Sequence, residues 1–219
     1  MIKNRLKEIK ADLSENITLI AVSKTKPIDA ILEAYEAGQR DFGENKVQEL
    51  VEKFEKLPKD INWHMIGHLQ SNKIKYIAPF IHLIHGVDSL KLLVEIDKNG
   101  RKINRKIPCL LQFHIAQEET KFGFDWNEIV VFLENETCKQ LTFVDIKGVM
   151  GMASFTDNNM QIQKEFSELK TIFDNLKRDY FQDNEDFKII SMGMSNDYKI
   201  AIEEGSNMVR IGSSIFGSR

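Results

Sequence analysis

Lys24 ends the apolar run Ile17-Thr18-Leu19-Ile20-Ala21-Val22-Ser23, which puts a primary amine at the tip of a segment that reads as a buried strand. An amine so placed is a candidate Schiff-base former. Desolvation disfavours the ammonium form, and Lys26 two residues on adds like-charge pressure, so the free amine that attacks an aldehyde becomes more accessible. On this segment alone, a strand-end lysine reaching into water is the commoner arrangement. The far end of the chain supplies matching chemistry. In Ser191-Met192-Gly193-Met194-Ser195-Asn196-Asp197 and in Gly212-Ser213-Ser214, glycine lets the backbone approach an anion, while Ser195 and Ser213 offer hydroxyl donors beside unpartnered amides. Ser195 or Asn196 taken singly reads as a helix N-cap; the two loops together point to phosphate.

An amine, a phosphate cradle and the always-cationic Arg210 suggest a phosphorylated aldehyde, and pyridoxal 5′-phosphate fits best. Lys24 would form the Schiff base, Ser195 with the Gly212 and Ser213 amides would hold the phosphate, and Arg210 would face the pyridine nitrogen. A guanidinium there cannot accept a proton and weakens the ring as an electron sink, which counts against aminotransferase or decarboxylase chemistry. A Schiff-base aldolase acting on sugar phosphates also uses a barrel lysine and a phosphate site, but explains Arg210 less well.

These residues need a scaffold that gathers strand ends. Strands are expected at Ile17 to Ser23, Asp41 to Gly43, Ile61 to Gly67, Ile81 to Val87, Ile107 to Ile115, Phe143 to Met150, Lys188 to Met194 and Met208 to Gly212. Between them lie amphipathic segments at Ile28 to Ala37, Lys46 to Leu57, Asn72 to Ala78, Leu90 to Asn99, Asn127 to Glu134, Met160 to Leu176 and Tyr198 to Glu204. Pro27 and Asp125 mark helix starts, and Gly38, Gly100 and Gly205 mark helix ends. Ile2, Leu6, Ile9 and Leu13 recur at helical spacing, so the lysine-rich start reads as a docking helix rather than an export signal. The pattern is α/β: a single (β/α)8 TIM barrel over residues 1–219 with an extra N-terminal helix, the open doubly wound sheet being the runner-up. The chain is short against the usual barrel length of about 250 residues, and no helix is read after the eighth strand.

The remaining composition narrows the function. The chain has 219 residues, 42% hydrophobic and 29% charged, with a net charge of −3 and no basic stripe, which disfavours nucleic acid as a partner. Mean hydropathy is −0.32 and the isoelectric point is near 6.0. Greasy stretches such as Ile77 to Ile84, broken by Pro79 and His82, fall short of the roughly 20 residues a membrane span needs. Cys109 and Cys138 make no disulfide framework, which fits a reducing cytoplasm.

In a barrel the strand ends converge on one rim. There the sequence places Lys24, Asn45, His64, His68, His85, His114, Met150 and Met152, Met194, Ser195, Arg210, Gly212 and Ser213. The cofactor-binding set read from them is Lys24, Asn45, Met194, Ser195, Arg210, Gly212 and Ser213, with His64 and Lys121 as further candidates. His64 reads as well as a satisfied core histidine. Lys121, in a charged loop, is either a solvated lysine or a contact for a phosphate or a second, transiently held cofactor. His82, His85 and His114 have no recognisable metal-ligand spacing, so no metal is assigned. The methionines at 150, 152, 192 and 194 read as flexible filler under the cofactor.

The motifs Ala21-Val22-Ser23-Lys24-Thr25-Lys26-Pro27, Phe42-Gly43-Glu44-Asn45 and Trp63-His64-Met65-Ile66-Gly67-His68-Leu69-Gln70-Ser71-Asn72-Lys73 stand in this order. Lys121-Phe122-Gly123, Met150-Gly151-Met152, Ser191-Met192-Gly193-Met194-Ser195 and Val209-Arg210-Ile211-Gly212 follow. Over nearly its whole length the chain thereby resembles the pyridoxal-phosphate homeostasis proteins, also called the proline synthetase co-transcribed family. The resemblance implies a barrel similar to the cofactor domain of alanine racemase, with the cofactor on Lys24. It also implies a carrier or buffer of pyridoxal phosphate that affects vitamin B6 and amino-acid balance without turnover, with apo-enzymes as recipients. Lys46 departs from the tyrosine that many relatives carry after the asparagine.

The alternative is a single-domain amino-acid racemase, which needs acid/base groups on both faces of the bound substrate. Tyr35, Tyr76 and Tyr180 fall in or at the ends of expected helices, and only Tyr198 lies near the rim. The absence of a second domain to close the site also favours a carrier. A lone open barrel reads as a monomer.

Overall fold

The eight expected strands pair in chain order and the last closes on the first. In the computed structural model, which describes residues 1–117 and 122–217, the sheet is a closed parallel barrel. Its strands are β1 (Thr18–Val22), β2 (Asp41–Glu44), β3 (Asn62–Met65), β4 (Leu83–Val87), β5 (Ile107–Gln112), β6 (Val144–Met150), β7 (Ile189–Met194) and β8 (Met208–Ile211). Thr18 stands opposite Met208 and Ala21 opposite Ile211. That closure excludes the open doubly wound sheet.

The helix α1 (Ile2–Asp12) precedes β1, and α2 (Ile28–Glu36) and α3 (Val47–Lys56) follow β1 and β2. A 3₁₀ turn at Ser71–Lys73 leads into α4 (Ile74–Ile77). Next come α5 (Leu90–Lys102), α6 (Trp126–Glu134), α7 (Glu136–Lys139), α8 (Asn159–Asp179), α9 (Tyr198–Glu203) and α10 (Ser213–Phe216). The expected docking role of α1 holds, since Leu6 and Ile9 are buried in the main core. Pro27 and Asp125 are the N-caps of α2 and α6, and the Asp125 carboxylate accepts from the Glu128 N–H at 2.7 Å.

Three details differ from the sequence reading. Short α7 and α10 lie within single turns, too brief for a hydrophobic period to register. Gly100 does not end α5, which runs on to Lys102. A Cβ there would stand 2.6 Å from the Arg105 carbonyl and 2.9 Å from the Phe143 Cβ, so this glycine is needed for close packing rather than termination.

Side chains along each strand alternate between two cores. Leu19, Phe42, Trp63, Ile84, Ile190 and Val209 belong to the large cluster between sheet and helices. Ile20, Leu83, Leu110, Met150 and Met208 form a separate cluster inside the barrel. The same alternation points Asp41, His64, His85, Ser191 and Arg210 inward, so a polar stripe crosses an otherwise apolar lumen. Among the described residues no helix is long and apolar enough to cross a membrane. Both cysteines are free thiols, with Cys109 buried in β5 and its thiol pushed up by that burial.

Candidate functional site

A cavity of about 480 Å³ opens at the carboxyl ends of the strands. Lys24, Asn45, Met194, Ser195, Arg210, Gly212 and Ser213 all line it, together with Lys26, Met152, Ser154 and Asp197. Seven residues spread over 190 positions of sequence therefore share one wall-to-wall space because β1, β2, β7 and β8 are consecutive around the barrel.

Lys24 sits in a tight turn after β1, in which the Ser23 carbonyl accepts from the Lys26 N–H at 3.0 Å. Thr25 holds φ = 64°, a left-handed conformation that is strained for a β-branched residue. Its N–H donates to Glu49 Oε1 at 2.6 Å, which fixes the turn. Beneath it lies a buried ionic cluster. Lys53 Nζ donates to the Ser23 carbonyl at 2.8 Å, to Glu44 Oε1 at 2.7 Å and to Glu49 Oε1 at 2.6 Å. The Ser23 hydroxyl donates to Glu44 Oε1 at 2.5 Å. Burial pushes the Glu44 carboxyl up to about 7, against the pull of Lys53. Sequence reasoning missed this cluster, although Glu44 lies in a quoted motif and Lys53 falls four residues after Glu49 on the α3 face.

At the end of β7, Gly193 makes the turn into the following loop possible. It holds φ = +94°, and a Cβ would meet the Ala201 Cβ at 2.6 Å. Asp197 is the N-cap position of α9, and its Oδ1 accepts from the Met194 N–H at 2.5 Å. Ser195 is thus not the cap; its hydroxyl oxygen accepts from the Gly212 N–H at 3.3 Å, linking the two loops.

Arg210 is 4% exposed and forms the cavity floor. Its guanidinium donates from Nη1 to the Ser191 carbonyl at 2.9 Å and hydroxyl at 2.6 Å, and from Nη2 to the Gly151 carbonyl at 3.1 Å. Burial pushes Arg210 down to about 10, which leaves it cationic at neutral pH.

His64 does not line the cavity. It is 1% exposed inside the barrel, with Nδ1 3.0 Å from His85 Nε2 and Nε2 3.1 Å from Asp41 Oδ1. His85 Nδ1 lies 3.0 Å from the Ser191 hydroxyl. At the ends, Arg210 only donates and an ionised Asp41 only accepts, while the Ser191 hydroxyl between them can do both. Burial opposes the Asp41 carboxylate, but the hydrogen bond from His64, with help from Asn62, holds it below the usual carboxylate range. Donation running Arg210 to Ser191 to His85 to His64 to Asp41, with each imidazole carrying its proton on Nε2, gives every hydrogen in the chain an acceptor. Burial, with help from the charge of Arg210, keeps His85 well below its ordinary value.

His68 is exposed, pairs with Asp88 at 2.8 Å and stacks on Phe122. Lys121 lies outside the described residues. The tyrosines at 35, 76, 180 and 198 are absent from the cavity wall, and the Tyr198 hydroxyl instead reaches Asp12 Oδ2 at 3.3 Å.

The chain matches the family model described as alanine racemase, N-terminal domain, over residues 1–219. It is 38% identical over 202 residues to the pyridoxal phosphate homeostasis protein of Aquifex aeolicus, covering 92% of this chain and 86% of the relative. Among solved structures it is similar to PipY of Synechococcus elongatus PCC7942, at 35% identity over 99% of this chain and 100% of PipY. The TM-score is 0.92 for PipY without PLP and 0.89 with PLP bound. Alanine racemase of Clostridium difficile shares the fold at 17% identity and a TM-score of 0.75, with 56% of its chain covered. With the barrel and the cavity as described, these likenesses show that the chain belongs to the alanine racemase N-terminal domain family, among its pyridoxal phosphate homeostasis proteins.

Proposed function

We propose that this chain binds pyridoxal 5′-phosphate in the cavity as a Schiff base on Lys24 and acts as a buffer and donor of the cofactor in the cytoplasm, not as an enzyme. The observation that carries the reading is that Lys24, Ser195, Arg210, Gly212 and Ser213 line one cavity. The residues fit the group. The wall carries three cations, Lys24, Lys26 and Arg210, against one acid, Asp197, whose Oδ1 is committed to the Met194 amide. A dianionic phosphate is matched by that balance and by the hydroxyls of Ser195 and Ser213.

When bound, the cofactor supplies a reactive aldehyde. Lys24 binds it covalently and reversibly, the loops after β7 and β8 orient the phosphate, and Arg210 keeps the floor of the site cationic without offering a proton acceptor. Asn45 and Met194 line the sides of the space. The names borne by the relatives support homeostasis over turnover. A racemase needs a second acid/base group facing Lys24, and no tyrosine lines the cavity among the described residues.

The test is transfer. Cofactor-loaded protein, mixed with a pyridoxal-phosphate-dependent apo-enzyme, should restore its activity while an amino-acid racemisation assay stays at background. Racemisation requiring Lys24, or a protein that takes up no pyridoxal phosphate, would overturn the proposal.

A further inference from the structure

Asp41, His64 and His82 converge at the amino-terminal mouth of the barrel, the end opposite the cavity. Asp41 opens β2, His64 lies on β3 and His82 immediately precedes β4, so three neighbouring strands contribute one side chain each. One carboxylate oxygen and two imidazole nitrogens lie within 4.8 Å of one another. We propose that these three side chains form a binding site for a divalent transition metal of the Zn²⁺ type.

The donor set selects the ion class. Two imidazoles and one carboxylate suit Zn²⁺ and its first-row neighbours, whereas Mg²⁺ and Ca²⁺ take oxygen ligands. In a tetrahedral site with bonds of about 2.1 Å, ligand atoms stand about 3.4 Å apart, so convergence needs only small side-chain rotations. His64 Nε2 already lies 3.1 Å from Asp41 Oδ1, and the His64 and His82 ring centroids are 5.1 Å apart. Three protein ligands leave a fourth position for water, and the exposed His82 gives an ion a way in.

The surroundings are also suited. The second ring nitrogen of His64 is held by His85, the outer contact that fixes a metal-ligating imidazole. Asn62 Nδ2 steadies the carboxylate at 3.1 Å. Arg105, a nearby cation acting on His82, turns its guanidinium to the carbonyls of Ala78 and Ile81, each at 2.6 Å.

Occupancy at this mouth reaches the cavity through the chain of donors. Coordination takes the Nε2 lone pair of His64, so its single ring proton must sit on Nδ1 and donate to His85. His85 then accepts at Nε2 and donates from Nδ1 to the Ser191 oxygen. Each imidazole keeps one proton and the total is unchanged. The Ser191 hydroxyl hydrogen, which pointed at His85, must then turn away from it while its oxygen still receives Arg210.

The test is calorimetric titration of the full-length protein with Zn²⁺ alone, for wild type, His82→Ala, His64→Gln and His68→Gln. A single site is expected, weakened at least about tenfold by His82→Ala and by His64→Gln and unaffected by His68→Gln. His82 is exposed, so its variant keeps the core, and circular dichroism checks the fold of His64→Gln. Imidazole ¹⁵N shifts should move the His85 proton from Nε2 to Nδ1 on saturation. Absent binding, or binding untouched by either His82→Ala or a folded His64→Gln, would overturn the site; a saturated protein with an unchanged His85 tautomer would overturn the link. Lys24→Ala should bind Zn²⁺ normally, which keeps this outcome separate from that of the cofactor proposal.

Discussion

The Lys53 ammonium donates to the Ser23 carbonyl at 2.8 Å, the last backbone group before Lys24. A side chain from the helix layer thus holds the turn that presents the cavity amine. Because the same ammonium bridges Glu44 and Glu49, the turn, the end of β2 and the start of α3 are tied to one charge.

Replacing Lys53 by Met leaves Glu44 buried without its cation. Breaking such a pair costs about 3–5 kcal/mol. Urea unfolding should register this loss, and the surviving folded protein should form its Lys24 adduct more slowly than wild type. Wild-type stability in Lys53→Met would show that the cluster does not hold the turn.

The cluster also gives stability a pH dependence. The Glu44 carboxyl stands at about 7 when folded, against an ordinary 4.5, mainly through burial. The folded chain therefore binds this proton more tightly, and the contribution of Glu44 is fully present below the unfolded value and lost as pH rises through about 7. The shift corresponds to about 3 kcal/mol. Glu44→Gln should remove most of that slope when unfolding is compared at about pH 5 and about pH 8; an unchanged slope would assign it to other groups.

Gly193→Ala forces a Cβ into a left-handed position 2.6 Å from the Ala201 Cβ. The expected loss is about 2 kcal/mol or more. Because the same residue shapes the loop that carries Ser195, retention of pyridoxal phosphate on dilution should fall as well. Thermal unfolding and dialysis followed by absorbance measure the two effects separately.

Ser195→Ala removes one hydroxyl from the proposed phosphate end while leaving Lys24 intact. A hydrogen bond to a charged group contributes about 1.5–3 kcal/mol, so affinity for pyridoxal phosphate should fall about ten- to hundredfold. Affinity for pyridoxal, which lacks the phosphate, should stay the same. Equal losses for both ligands would place Ser195 elsewhere in the contact scheme.

The barrel was legible because most strands are apolar runs and each long helix has its own period. Pro27, Asp125, Gly38 and Gly205 punctuate the chain where the structure starts and ends its helices, the two glycines at φ of +88° and +96°. The cavity wall was legible for a related reason: chemistry-bearing residues at strand ends are brought together by closure alone. What stayed hidden depends on which face a residue presents and what stands across the lumen. His64, His85 and Ser191 occupy inward positions on β3, β4 and β7, and no local pattern links residues 127 positions apart into one donor chain. Glu44 and Lys53 face the helix layer, where a buried charge pair leaves no periodic trace. The grouping of Asp41, His64 and His82 follows from the pitch of the barrel rather than from any one helix or loop, so no local spacing announces it.

The most direct test is borohydride reduction of the protein after loading with pyridoxal phosphate, followed by peptide mapping, in wild type and Lys24→Ala. A visible absorption band that reduction abolishes and a stable adduct on Lys24 are expected, with neither band nor adduct at this position in Lys24→Ala. A primary adduct on another lysine, with the Lys24→Ala spectrum unchanged, would contradict a Schiff base on Lys24.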